Sequence, residues 1–136
     1  MRAVLDPSVL ISALLSQRGA PAQILLRWLR GEFELVASEA LPAELGRALA
    51  YPKLVTSISA NDAAEFVDLL RESAAVAPDP TEPPSRSTDR GDDYLLALAE
   101  QERALLVSGD QHLLNLTDRF PIVTPRAFLD TLLAAD

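Results

Sequence analysis

Five carboxylate residues stand where this sequence could do chemistry: Asp6, Glu44, Asp92, Asp93 and Asp110. Asp6 directly follows the apolar run Ala3-Val4-Leu5, and Asp110 follows Ala104-Leu105-Leu106-Val107 by way of Ser108-Gly109. Asp92 and Asp93 open a stretch in which Leu95, Leu96, Leu98 and Ala99 recur at helical spacing. With Leu41 and Leu45 as a buried row, a turn of about 100° per residue sets Glu44 at the border of that face. In a parallel sheet, ligands bind outside the carboxyl ends of the strands and near helix N-termini, so these acids are candidates for one cleft. Gathered carboxylates repel and raise each other's pKa unless a cation sits among them. The chain has no cysteine and one histidine, His112. Its ligands would therefore be hard oxygens, which select Mg²⁺ or Mn²⁺ over zinc. Such a site, holding one or two ions, does phosphoryl-ester chemistry: it activates water, stabilises the pentavalent phosphate and neutralises the leaving oxygen.

Each acid also has a structural explanation. Asp6 before Pro7, and Asp110 before an apolar helix, are good N-caps. Glu44 can pair with Arg47 on the surface, and Asp92-Asp93 suits a helix N-terminus through the macrodipole. Co-location at one sheet edge is what favours a site. Asp79, Glu82 and Asp89 belong to a proline-rich stretch and read as solvated charges, with Asp89 close to the Asp92-Asp93 pair. The Ser8 hydroxyl can orient a carboxylate or a water, or be an ordinary first-turn serine. His112, without a cysteine or second histidine, reads as a surface residue rather than a ligand. Eleven of the twelve basic residues are arginine, and Arg18, Arg27, Arg30, Lys53, Arg86 and Arg90 could rim a substrate groove.

The elements that must position these groups alternate between short β-rich runs and helical stretches. Strands are expected at 3–5, 33–37, 74–77, 104–107 and 121–123. Helices are expected after Asp6-Pro7, after Gly19-Ala20-Pro21, from a Ser38 cap to about Ala50, after the box-like Ser59-x-x-Asp62, from Asp92, around Leu113-Leu114, and after Thr124-Pro125. Trp28 lies on the apolar stripe of its helix, and Tyr51-Pro52 ends the third helix. Residues 78–90, with Pro78, Pro80, Pro83 and Pro84, form an extended loop too short to be an interdomain linker. Continuous apolar strands alternating with helices indicate a parallel sheet covered on both faces, a three-layer α/β/α sandwich.

Composition bounds the rest. The 136 residues suit one domain, 1–136, and the 49% hydrophobic share is ample for an aliphatic core. Absence of cysteine excludes a disulfide scaffold, a thiolate zinc site and a cysteine nucleophile. No apolar run approaches the roughly 20 residues of a membrane span, and Arg2 and Asp6 interrupt the N-terminus too early for a signal peptide. A cytoplasmic protein with no membrane partner is the expectation. The net charge of −8 argues against a nucleic-acid binder working by bulk charge alone.

Four segments carry a resemblance: Val4-Leu5-Asp6-Pro7-Ser8-Val9-Leu10, Ser38-x-x-Leu41-x-x-Glu44-Leu45, Asp92-Asp93-x-Leu95-Leu96-Ala97-Leu98-Ala99 and Val107-Ser108-Gly109-Asp110. Together, in this order and over roughly Met1 to Leu133, they resemble PIN-domain ribonucleases, most closely the toxins of VapBC-like toxin–antitoxin pairs. The resemblance implies a PIN-like sandwich and a Mg²⁺ or Mn²⁺ site of Asp6, Glu44, Asp93 and Asp110, with Asp92 as a contributing neighbour. Asp93 takes precedence over Asp92 because it stands just before the x-Leu-Leu-Ala pattern. The resemblance further implies RNA cleavage by a metal-activated water, a homodimer, and an antitoxin whose tail fills the groove. Ser8 matches a position where the family often has Asn or Ser, hydrogen-bonded near the metal. One departure stands out: the residue after the first Asp is usually Thr or Ser, and here it is Pro7, so that hydroxyl is absent. With four acids assigned to a metal site, the acidity no longer excludes RNA; it predicts weak RNA binding without the ion.

The alternative of a different class is a catalytically weak PIN-like module that binds RNA or a protein partner. A receiver domain fits poorly, since it wants a second acid near the first strand and a lysine after a late strand, and the only lysine is Lys53. A haloacid-dehalogenase-type phosphatase wants Asp-x-Asp after its first strand, where this chain has Ser8. No glycine-rich phosphate loop is present.

Overall fold

Alternation of side chains along short apolar strands decides the architecture. In the computed structural model, which describes residues 1–135 and leaves Asp136 outside the described residues, five strands form one parallel sheet: β1 (Arg2–Leu5), β2 (Glu34–Ser38), β3 (Ala75–Ala77), β4 (Leu105–Val107) and β5 (Ile122–Val123). Their order is β3-β2-β1-β4-β5, with Val4 aligned to Val36 on one side and to Leu106 on the other. Ala3, Leu5, Leu35, Ala37 and Val107 turn to one face, and Val4, Val36, Ala77, Leu106 and Ile122 to the other. Both faces are covered, which is why the strands read as unbroken apolar runs.

The first face packs against α1 (Pro7–Leu15), α2 (Ala20–Leu29), α3 (Leu41–Leu49), α5 (Ala60–Ser73) and α8 (Pro125–Ala134). Phe128, fully buried, meets Phe33 edge to face at 5.0 Å, and Trp28 belongs to this core. The second face packs against α6 (Arg90–Gln101) and α7 (Gln111–Leu114) through Leu95, Leu96, Leu98 and Leu113. The expected three-layer α/β/α sandwich is therefore the observed fold.

Local chemistry explains the helix starts. Asp6 caps α1 ahead of Pro7, Ser59 caps α5 by accepting from the Asp62 N–H at 3.1 Å, and Thr124 caps α8 ahead of Pro125. Gly31, at φ 78°, turns the chain from α2 into β2 in a conformation that only glycine adopts without steric cost. Three expectations need correction. Ser38 is not the cap of α3: it ends β2 paired with Ala77 of β3, and the helix starts at Leu41 behind Ala40. Pro52 does not merely end a helix; it opens a one-turn helix, α4 (Pro52–Val55), because proline at the first position forfeits no hydrogen bond. The α6 helix begins at Arg90 rather than Asp92, with Asp89 as its cap.

Among the described residues, no single helix is long and apolar enough to cross a membrane. The α1 and α2 helices would suffice together, but they meet at a 99° bend and bury Leu10, Ile24 and Trp28 in the core.

Candidate metal centre at the sheet switch point

The chain runs outward from β1 through β2 to β3, then crosses back to place β4 on the other side of β1. The carboxyl ends of β1 and β4 thus form the point where the winding reverses, the place where open α/β sheets bind ligands. A crevice of about 340 Å³ lies there, with Asp6, Glu44, Asp89 and Asp92 in its wall, together with Pro7, Ser38 and Tyr94.

Asp6 is held on both oxygens. Its Oδ1 accepts from the Ser8 N–H at 3.0 Å, and its Oδ2 accepts from the Ser108 hydroxyl at 2.8 Å. The same Ser108 oxygen accepts the Asp110 N–H at 3.0 Å, and the Asp6 N–H donates to the Val107 carbonyl at 3.0 Å. One fully buried serine therefore locks the loop after β1 to the loop after β4. It is the Ser8 backbone, not its exposed hydroxyl, that reaches Asp6. The sequence pattern does not single out Ser108 for this role; its one signal is a small hydroxyl residue between a strand end and an acid.

Asp92 and Asp93 part company. Asp92 is only 8% exposed and faces the crevice. Burial first, then the charges of Asp110, Asp89 and Asp6, push its carboxyl up from 3.8 to about 6, with His112 pulling the other way. Asp93 faces the proline-rich loop. Its Oδ1 accepts from the Arg86 N–H at 2.9 Å, the Ser87 N–H at 2.8 Å and the Ser87 hydroxyl at 2.9 Å. Those bonds, the Arg86 N–H foremost, hold its carboxyl below the usual range against the opposing effect of burial. The two neighbours differ by about 100° around the helix, so one can face a ligand while the other fastens a loop. Of the two, the structure places Asp92 in the crevice wall and Asp93 against the loop.

Asp89 and Asp79 are not free solvated charges. Asp89 accepts from the Gly91 N–H at 2.6 Å and the Asp92 N–H at 3.4 Å, capping α6 at the crevice wall. Asp79 accepts from the Tyr94 hydroxyl and, at 3.3 Å, from the Ala40 N–H, tying the loop to the start of α3. Tyr94 is pushed up to about 12, by burial first and then by its bond to Asp79. Glu44 is exposed on the crevice side of α3, and among the described residues no ion pair joins it to Arg47. Asp110 lies outside the crevice wall, caps α7 through the His112 N–H at 2.9 Å, and acts on Asp92 through its charge. Of the arginines proposed to rim a groove, Arg27 pairs with Glu32 at 2.6 Å and Arg86 with Glu100 at 2.8 Å.

No three His, Asp or Glu side chains among the described residues close on a common point as a preformed metal cage. The donor set is nevertheless all carboxylate and hydroxyl, and the crevice has room for a cation that keeps part of its water shell. That suits Mg²⁺, which is usually held by one or two carboxylates plus water.

An open α/β sheet with an acidic crevice at its switch point defines the class of the molecule. The chain belongs to the PIN domain family, whose sequence pattern matches residues 2–112. No curated protein matches it. Among solved structures it is similar to PAE2754 from Pyrobaculum aerophilum, with a TM-score of 0.68 and 20% identity over 98% of this chain and 90% of that one. It is also similar to VapBC-1 from nontypeable Haemophilus influenzae, with a TM-score of 0.62 and 17% identity over 93% of this chain and 99% of that one. A third likeness is to VapBC2 from Rickettsia felis bound to a DNA fragment from their promoter, with a TM-score of 0.61 and 14% identity over 91% and 98%. At these identities the likeness shows the fold.

Proposed function

We propose that the chain is a metal-dependent endoribonuclease that hydrolyses RNA phosphodiester bonds, and that it is the toxin of a toxin–antitoxin pair. The observation that carries this reading is the convergence of Asp6, Glu44 and Asp92, from three separate elements, on one crevice at the switch point. Membership of the PIN domain family and the likeness to two VapBC structures support it.

In this reading Asp6, Glu44, Asp92 and Asp110 hold Mg²⁺ or Mn²⁺, with Asp93 and Ser8 supporting them through the loop and the backbone. When bound, the ion supplies Lewis acidity toward the phosphate and eases deprotonation of the attacking water. The protein's own part is orientation. Ser108 and the Ser8 N–H fix both oxygens of Asp6, so that carboxylate meets its ligand without rotamer reorganisation. The Ser108 oxygen, accepting the Asp110 N–H, ties the loop after β4 to Asp6. Asp93 keeps residues 86–87 against α6, so that Asp89 can cap the helix that carries Asp92. The RNA approaches a chain of net charge −8, so its affinity depends on the bound ion and nearby arginines. A homodimer in the cytoplasm, silenced by an antitoxin whose tail fills the crevice, completes the proposal.

Cleavage of a labelled RNA with Mn²⁺ present tests it. Asp6→Asn and Asp92→Asn are expected to abolish cleavage and growth arrest, whereas Asp93→Asn leaves residual cleavage. Undiminished cleavage by Asp6→Asn sinks the mechanism, and the reverse ranking at 92 and 93 returns the ligand role to Asp93. Calorimetric titration with Mn²⁺ separates the nuclease from a module that only binds RNA or protein, which need not hold the ion.

A further inference from the structure

A second concavity, of about 580 Å³, opens at the other edge of the sheet, by the amino ends of β1, β4 and β5. Its floor is apolar: Leu96, Leu106, Phe120 and Ile122. Arg103 and Arg119 stand exposed on its rim, and among the described residues neither forms an ion pair or a side-chain hydrogen bond. The acids on its α6 side are already engaged, Glu100 by Arg86 at 2.8 Å and Glu102 by Arg2 at 3.4 Å, and Asp118, beside Arg119 in sequence, is not among the residues that line it. The uncompensated charge at this groove is therefore positive, in a chain whose net charge is −8.

Arg103 also sits in a backbone conformation that does not suit it. It follows the end of α6 at φ 52°, with its N–H donating to the Glu100 carbonyl and the Ala104 N–H to the Ala99 carbonyl. That left-handed turn closes a helix most cheaply with glycine, because a Cβ there crowds the following carbonyl. The fold alone would be better served by glycine, so the guanidinium at this position calls for a role outside folding.

We infer that this groove docks an acidic, apolar peptide segment of a partner protein. One or two carboxylates would engage the Arg103 and Arg119 forks while a leucine- or phenylalanine-sized side chain enters the apolar floor. A nucleic acid fits less well. The floor offers one ring for stacking, Phe120, and the Arg86 guanidinium already covers it at 5.3 Å. The inference does not draw on the acidic crevice.

Selection of displayed random dodecapeptides on the full chain tests it, followed by fluorescence anisotropy of the enriched peptides. Enrichment of sequences pairing Asp or Glu with large apolar residues is expected. Arg103→Gly and Arg119→Glu should each weaken those peptides by about tenfold or more. Arg103→Gly should do so with a Tm equal to or above the parent, which separates a docking role from a structural one; Arg119→Glu carries the test if the turn variant is poorly expressed. Lack of acidic-apolar enrichment, or peptides that bind both variants as tightly as the parent, overturns the inference. So does an effect of the two substitutions on single-stranded RNA binding or on self-association in place of peptide binding, which would assign the groove to nucleic acid or to a second copy.

Discussion

Replacing Asp92 by Asn should make the metal-free protein more stable at neutral pH. Asp92 is 8% exposed, and its carboxyl lies at about 6 against an ordinary 3.8 because burial and the charges of Asp110, Asp89 and Asp6 oppose ionisation. A group whose folded pKa is raised contributes stability that is fully present below its unfolded value and is lost as pH rises through the folded one. At roughly 1.4 kcal/mol per pH unit the gap corresponds to about 3 kcal/mol. Water at the crevice mouth screens the neighbouring charges and brings this to about 2 kcal/mol. Asparagine keeps the shape and never ionises, so Asp92→Asn should gain about 2 kcal/mol at about pH 7.5 and nothing at about pH 4. For a chain of this size the gain is about 6–8 °C in Tm.

Thermal unfolding of both proteins in chelator, at intervals across that pH range, gives the difference directly. Titrating groups distant from position 92 cancel between the two curves. The curves should part between about pH 4 and pH 7, and Mn²⁺ should close the gap by stabilising only the parent. A variant that is less stable than the parent at neutral pH, or a difference that does not change with pH, would refute the account of Asp92 as a carboxylate under net repulsion.

Other sites give sharper local effects. Ser108→Ala removes the hydroxyl that fixes Asp6 and accepts the Asp110 N–H; it should cost about 1–3 kcal/mol by urea unfolding and lower Mn²⁺ affinity by roughly 10–100-fold by calorimetry. Asp93→Ala frees the Arg86 and Ser87 groups, so limited proteolysis should cut within residues 78–90 sooner than in the parent. The lowered Asp93 pKa has the opposite sign from Asp92: its stability is present above the ordinary carboxylate value and lost as pH falls through the folded one, so the penalty for Asp93→Ala should shrink in acid. Phe128→Ala opens a cavity against Phe33 in the larger core and should cost about 3–5 kcal/mol by denaturant unfolding, with Mn²⁺ binding retained under native conditions.

The sheet was legible because burial on both faces leaves a plain record. Val4, Val36 and Leu106 pair side by side, and each sits in a short apolar run bounded by polar residues. Strand order was not written in those runs, since it depends on which helices cover which face. Nor was the difference between Ser38 as a cap and Ser38 as the last residue of β2, because what decides it is pairing with the distant Ala77 of β3. Asp79 illustrates the same limit: in sequence it is one more acid among prolines, and only the fold brings Tyr94 and the Ala40 N–H to it.

The Asp92-Asp93 pair shows where the sequence stops deciding. Both residues open the same helix, both favour its N-terminus, and both stand beside the same leucines. The choice between them turns on the Pro-rich loop, whose backbone donors at Arg86 and Ser87 need an acceptor once the loop folds onto α6. Unpaired donors in such a place are costly, so the loop takes the carboxylate that points toward it, Asp93. Among the described residues Asp92 has no protein donor on its carboxylate, and three acids surround it, a combination that costs stability in the free protein. A carboxylate kept under those conditions, one residue from another that is fully satisfied, is the one we propose as the cation ligand.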